Sequence, residues 1–442
     1  MTRPDSSAKP ERNPKDESSG VETRRAALAM LESVLRRGDT LDVAQNTACK
    51  KLTRSDDAAF ALAIVAETLR NLGGLDELLD GAMKKPLAEH ARPRFVLRLM
   101  LAQSLILGTP AHAVIATGLP LLAGGPRRLA HGVFSAIDKQ RAALENESLL
   151  PDPPWLPPEV QERWQQAWGD DMTVKARKGF AKAPPIDLTV RDADKTDMLA
   201  EKLGAISMAA GHLRLAEGIR LSDDPDFNAG DYWVQNLAAS LPARLLGEGE
   251  GRTVLDLCAA PGGKTMQLAA QGWNVTALDS SKKRLKRLQE NLDRTGLKAD
   301  IVTTDLRVWE APTASDAILL DAPCTATGTY RRNPDVLYRI GENETEKLTS
   351  LQRTLLDRAA KWVKPGGQLV YAVCSLEPEE GEQQVQYFLE KHSNFTLKDL
   401  PANTLPQGIA ADDNGYLRIL PGMMEDQGGL DGFFVASFQR SE

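Results

Sequence analysis

The sequence predicts an α/β protein in which a doubly wound, mostly parallel sheet follows an all-α bundle and a small α+β connector. Two patterns predict it. After residue 231, short β-branched runs alternate with helical segments, which calls for parallel strands covered on both faces. Before residue 146, apolar residues recur only at helical spacing, with no alternating strand pattern. The length of 442 residues agrees, since roughly 150 residues per domain gives two or three domains. With 42% hydrophobic and 26% charged residues, the chain can build a sizeable core.

Residues 1–21 are rich in Ser, Pro, Lys, Glu and Asp with almost no large apolar groups, and they predict a disordered tail. Over 22–146, Ala27, Met30, Leu31, Val34 and Leu35 make one apolar stripe that Gly38 closes. Ser55 is placed to cap a second helix through Phe60, Ile64 and Leu69, and segments 94–108 and 130–145 behave alike. Pro151, Pro153, Pro154, Pro157 and Pro158 punctuate the end of this bundle. The connector, 147–230, holds a short helix at 159–168, a strand at Ile186–Arg191 and a helix at Asp194–Leu203. From 231 to 442 the strands are Thr253–Cys258, Asn274–Asp279, Asp300–Asp305, Asp316–Asp321 and Gln368–Cys374. Leu285, Leu288 and Leu292 give the helix after the second strand its buried face, and Gly296 ends it.

Several classes are excluded. No run of about 18 apolar residues spans a membrane, and Met1–Gly20 lacks the apolar stretch of a signal peptide. The four cysteines lie far apart without a CxxC pair, and the five histidines are equally scattered. A disulfide scaffold and a metal site are therefore not expected, and a reducing, cytoplasmic setting is. The net charge of −7 argues against a chain that grips nucleic acid by charge throughout. Residues 22–150 nonetheless sum to roughly +3 and those after 150 to roughly −10, which permits a polyanion at the N-terminal end.

Chemistry concentrates at strand ends. Val254–Leu257 runs into the tight loop Cys258-Ala259-Ala260-Pro261-Gly262-Gly263-Lys264, after which a helix begins. In a doubly wound sheet such a loop offers backbone N–H groups to a nucleoside cofactor. Gly263-Lys264-Thr265 mimics the end of a phosphate-binding P-loop, but Cys258 stands where that loop needs glycine. Asp279, 23 residues after Asp256, ends the next strand, and Asp305 ends the third. One such Asp is more often a helix cap, whereas three over one crevice point to ribose hydroxyls. Asp321-Ala322-Pro323-Cys324 and Cys374-Ser375 end the fourth and fifth strands. A lone cysteine is usually a small buried hydrophobe, as Cys49 is read here, but two thiols over one cofactor crevice are hard to explain as packing. Arg331-Arg332 is either a solvated pair or a phosphate clamp.

At these residues the chain resembles the S-adenosylmethionine-dependent RNA cytosine-5 methyltransferases. Asp256–Thr265, Asp321–Cys324 with Arg331-Arg332-Asn333-Pro334-Asp335, Cys374-Ser375 with Pro378-Glu379-Glu380, and Asp431-Gly432-Phe433-Phe434 carry the likeness over 231–442. The bundle resembles the NusB-like RNA-binding domain, and the pairing is similar to the Fmu/RsmB-type 16S ribosomal RNA methyltransferases. The resemblance implies a Rossmann-like class I methyltransferase domain after a NusB-like bundle. It implies S-adenosylmethionine held by Cys258, Ala259, Ala260, Pro261, Gly262, Gly263, Lys264, Asp279 and Asp305, bordered by Asp321. It assigns Cys374 as nucleophile, Cys324 to product release, and Asp321 to the base edge, the cofactor or both. Gln235-Asn236, Asn333 and Gly381 depart from the family's usual Gln-Asp, His and Asn.

Such chemistry needs a nucleophile because carbon 5 of cytosine is a poor one, and a thiolate added to carbon 6 makes it an enamine. A second group must then take the carbon-5 proton. By spacing alone either thiol could be the more acidic. The expected partner is RNA, most simply 16S ribosomal RNA, bound by a monomer without membrane or metal. Transfer RNA as substrate, or an inactive RNA-binding module, are the alternatives.

Overall fold

The computed structural model describes residues 14–144, 147–216, 221, 224–400 and 404–442. The chain forms two compact units, Met1–Pro158 with Asn333–Arg339, and Glu159–Arg332 with Ile340–Glu442.

The first unit is helical, with helices at Pro14–Arg37, Leu41–Ala48, Ser55–Arg70, Leu72–Gly81, Arg92–Leu105, Ala111–Gly118 and Gly124–Ala143. Ala27, Met30, Leu31 and Val34 are buried as the periodicity predicts. Arg92–Leu105 has no exposed face from Arg94 to Ser104, so it is the central helix of this unit. Three expectations change. Residues 14–21 begin the first helix, so the tail reading fails there, and its first thirteen residues lie outside the described part. Ser55 is the first helical residue, and Arg54 occupies the cap without a side-chain bond. Residues 333–339, assigned from sequence to the C-terminal domain, belong to this unit. There Val336 and Leu337 are buried, Tyr338 donates its hydroxyl to Leu69 O at 2.6 Å, and Asp335 accepts from Leu41 N at 3.1 Å.

The second unit opens with helices Pro158–Trp168 and Asp170–Phe180. A small antiparallel sheet follows, built from β1 (Asp187–Val190), β2 (Ile206–Ala209), β3 (His212–Arg214) and β4 (Tyr232–Val234) in the order β2-β3-β1-β4. It extends to Val234, past the connector boundary expected at 230, because β4 pairs with β1. Buried Asp187 anchors it to the next helix, Leu237–Arg244, by accepting from Arg214 Nε at 2.7 Å, Asn236 Nδ2 at 3.1 Å and Leu237 N at 3.0 Å. Asn236 also caps that helix, as the family's usual Asp would.

The large sheet contains β5 (Thr253–Leu257), β6 (Asn274–Asp279), β7 (Asp300–Thr303), β8 (Ser315–Asp321), β9 (Val363–Val373), β10 (Phe395–Leu397), β11 (Leu417–Ile419) and β12 (Phe433–Arg440). Its order is β10-β12-β9-β8-β5-β6-β7, with β11 also on β12. Strands β5 to β9 are parallel, whereas β12 runs antiparallel to β9, β10 and β11. The chain steps outward from β5 to β6 and β7, then returns to place β8 on the other side of β5. The β5/β8 boundary is therefore the switch point, where a crevice opens beyond the strand C-termini. Among the described residues, no single helix is long and apolar enough to cross a membrane.

Candidate active site

The loop after β5 turns sharply because Cys258 and Gly262 both adopt positive φ, 62° and 105°. At 262 only glycine fits, since a Cβ would lie 2.7 Å from Leu288 Cγ. The loop delivers the helix Gly263–Ala270 with its N-terminus toward the crevice. Beneath it, Asp256 is fully buried, and its Oδ2 accepts from Thr265 Oγ1 at 2.5 Å while Oδ1 has no partner. Burial, with Asp321 and Asp279 nearby, lifts this carboxyl to about 7 despite Thr265 and Lys264. Burial and the same three aspartates push the Cys258 thiol up, so it is no nucleophile.

Asp279, at the end of β6, accepts from Ser281 N at 2.8 Å and Ala260 N at 3.3 Å, and Arg284 pairs with it at 3.3 Å. Asp305 follows β7 and is half-buried, and Arg307 grips both its oxygens at 2.6 and 3.0 Å. That side-chain bond, with the Arg307 N–H, holds the Asp305 carboxyl at about 2. Cys258, Asp279, Arg284 and Asp305 line a cavity of about 300 Å³ whose apolar wall includes Leu306 and Pro323. Acids at the rim and an apolar slot between them suit a nucleoside. A larger recess of about 950 Å³ lies at the opposite, N-terminal edge of the sheet, beside Trp273 and Trp309, and holds none of the expected site residues.

Lys264 leaves the loop after β5 in an unexpected direction. Its Nζ donates to Asp321 Oδ2 at 2.7 Å and sits 5.4 Å above the Phe433 ring. Burial alone would lower its pKa, but the charges of Asp321, Cys374 and Asp256 raise it, so it is a fixed cation.

Cys324 and Cys374 meet, with Sγ atoms 3.5 Å apart and both thiols free. Backbone bonds from Ala322 N to Ala372 O at 2.9 Å and from Gly328 N to Cys374 O at 3.0 Å hold their loops together. The Cys324 thiol is pushed well up by its hydrogen bond to Cys374, then by burial and by the charges of Cys374 and Glu380. Sequence reasoning missed Thr325, Gln352 and Arg418, which tie this pair down. Arg418 donates to Ser375 O at 2.6 Å. The arginine pair is not a phosphate clamp: Arg331 donates to Gly179 O at 3.3 Å and Gly428 O at 2.9 Å, and Arg332 binds buried Asp431. Cys49 lies half-buried against the helical core. No group of three or more His, Cys, Asp or Glu among the described residues could hold a metal.

Residues 243–439 match the family model "16S rRNA methyltransferase RsmB/F", and residues 21–121 match the NusB family. Ribosomal RNA small subunit methyltransferase B of Shewanella oneidensis is 31% identical over 93% of this chain and 98% of its own length. The protein of the same name from Cronobacter sakazakii is 32% identical over 94% and 98%. A solved methyltransferase homologue from Pyrococcus horikoshii is 30% identical over 63% of this chain and 93% of its own, with a TM-score of 0.52.

Proposed function

Because the chain belongs to the 16S rRNA methyltransferase RsmB/F family, we propose that it methylates carbon 5 of a cytosine in 16S ribosomal RNA through a covalent bond from Cys374 to carbon 6. The observation that carries this reading is the asymmetry of the two thiols 3.5 Å apart. Cys374 shares its surroundings with the Lys264 cation, whereas Cys324 faces burial and the negative charge of Glu380. Burial beside an anion keeps Cys324 a thiol. Cys374 is then the nucleophile and Cys324 its hydrogen-bond donor.

Asp279 and Asp305 would hold the ribose of S-adenosylmethionine, Cys258–Gly263 would offer backbone groups, and Asp321 with Lys264 would border it. That cofactor supplies an electrophilic methyl group. The Cys374 sulfur forms a bond to carbon 6, and the electron pair displaced onto carbon 5 takes the methyl. With Cys374 bonded to carbon, its hydrogen bond and its charge no longer hold the Cys324 thiol protonated. Cys324 releases its proton to solvent and takes the carbon-5 proton. The C–H electrons close the 5,6 double bond and the carbon–sulfur pair returns to Cys374. One proton is released per methyl group, and both sulfurs end as they began. The target base must leave its stack to enter, and the NusB-like unit is the docking element on the RNA, in a cytoplasmic protein acting as a monomer.

The test is methyl transfer from labelled S-adenosylmethionine to protein-free 16S RNA and a transfer RNA pool, followed by bisulfite mapping. One methylated cytosine in 16S RNA is expected. Label confined to transfer RNA would keep the chemistry and replace the substrate. No label in either RNA, with cofactor bound, would turn the reading to an inactive RNA-binding module.

A further inference from the structure

Buried carboxylates are costly, and Glu380, fully buried six residues beyond Cys374, is one that neither the cofactor crevice nor the nucleophile requires. Its Oε1 accepts from Thr325 N at 3.0 Å and Gln352 Nε2 at 2.9 Å, and its Oε2 accepts from Thr325 Oγ1 at 2.5 Å. The same Gln352 Nε2 also donates to Pro323 O at 2.9 Å. Both chain neighbours of Cys324 are thus held by one carboxylate–amide pair. The Thr325 hydroxyl also shares a hydrogen bond with Ser375 Oγ at 3.0 Å, next to Cys374. Tyr371 fixes the carboxylate's own segment by donating its hydroxyl to Glu380 O at 2.6 Å.

We infer that Glu380 is the positioning residue of the product-release step: it clamps the Cys324 loop from both sides, and its negative charge makes the Cys324 thiolate a stronger base toward the carbon-5 proton. The inference rests on the proposed role of Cys324. A packing role alone would be met by a neutral side chain, and burial indeed pushes the Glu380 carboxyl up against the donors that hold it ionised. The groups that face the pair are Cys374 and Tyr371 of β9 and its exit, Arg418 of β11 with its partner Glu382, and Lys264 through Cys374. The proton moved is the one already counted above. It passes from carbon 5 to the Cys324 sulfur as the carbon–sulfur bond to Cys374 breaks, so no additional reactant enters.

The experiment follows the RNA–protein adduct of the full chain in single turnover, by denaturing gel, across pH. In the native protein resolution of the adduct accelerates as pH rises, because Cys324 must ionise. In Glu380→Gln the profile shifts to lower pH by about one unit, and its plateau falls about tenfold while adduct formation and cofactor affinity hold. Thr325→Val, which removes the hydroxyl's bonds to Glu380 and Ser375 and keeps the charge, slows resolution about tenfold with no shift in profile; it carries the test if the Gln variant does not fold. An unshifted profile in Glu380→Gln, or resolution at the native rate in Thr325→Val, would overturn the inference. Cys324→Ala is run in parallel. If it resolves the adduct normally, the release role of Cys324 itself is wrong, whereas a stable adduct there with unaltered Glu380→Gln condemns the Glu380 proposal alone.

Discussion

In the helical unit, Arg98 lies 2% exposed with its guanidinium forked onto Asp76 at 2.7 and 2.8 Å, and Arg94 beside it forks onto Asp80 at 2.7 and 3.0 Å. At the β5/β8 boundary of the second unit, Lys264 lies 11% exposed against Asp321 through a single contact. The first cluster is matched bond for bond, with Arg94 also donating to Leu87 O. The second leaves Asp256 Oδ1 without a partner, a carboxyl lifted to about 7, and two thiols in contact. Burial of charge is common to both and so does not mark function. What differs is how the buried charge is met: Arg94 and Arg98 bond both oxygens of Asp76 and of Asp80, whereas Asp256 keeps one oxygen without a partner.

That contrast can be broken in several ways. The largest effect belongs to Cys374→Ala, which should cut methyl transfer by at least about 10³-fold with cofactor affinity intact. Measurable turnover by that variant would remove the nucleophile assignment. Cys324→Ala should instead leave an RNA–protein adduct stable in denaturing gel; normal turnover without adduct would end its release role. Lys264→Met should slow adduct formation by about 10²-fold, with a melting temperature near the native one because Asp321 is part-exposed. A large loss of stability there, with adduct formation preserved, would make it a structural pair like Arg98–Asp76. Arg98→Met is the mirror experiment. It should cost on the order of 2 kcal/mol of stability by leaving Asp76 with only its Arg94 Nε bond at 3.1 Å, while methyl transfer per folded molecule stays unchanged.

A smaller effect is titration of Asp256. Its folded value, about 7, lies above the unfolded carboxyl value of about 4, so the native state keeps the proton longer. Stability is therefore fully present below about pH 4 and declines as pH rises to about 7, by an amount on the order of 4 kcal/mol. Asp256→Asn should flatten that part of the urea-denaturation profile; an unchanged slope would assign it to another group. Smallest is Asp305→Asn, since Arg307 already occupies the carboxylate. Cofactor affinity should fall by less than about fivefold, and a hundredfold loss would show that Arg307 yields to the ribose on binding.

Much of the site was legible in local sequence because a strand and the loop after it are local objects. Asp256, Asp279, Asp321, Cys324 and Cys374 all stand at the ends of β-branched or apolar runs, and the parallel sheet brings those ends to one edge. The three-residue strands β10 and β11 were not legible, since so short a run has no periodicity and pairs only because β12 is beside it. Arg331 and Arg332 misled for a related reason: their partners, Gly179, Gly428 and Asp431, lie about 100 or more residues away.

Hydrophobic periodicity and the strand-end acids determined the α/β class and the crevice, because each depends on neighbours within one turn or one strand. The tertiary structure alone decided that Lys264 faces Asp321 and not only the cofactor loop, that 333–339 packs in the helical unit, and that Glu380 and Gln352 close on Cys324. Those facts depend on which distant segments the sheet order and helix packing bring within hydrogen-bond reach, and the energy of a buried charge is set by that surrounding and not by its place in the chain.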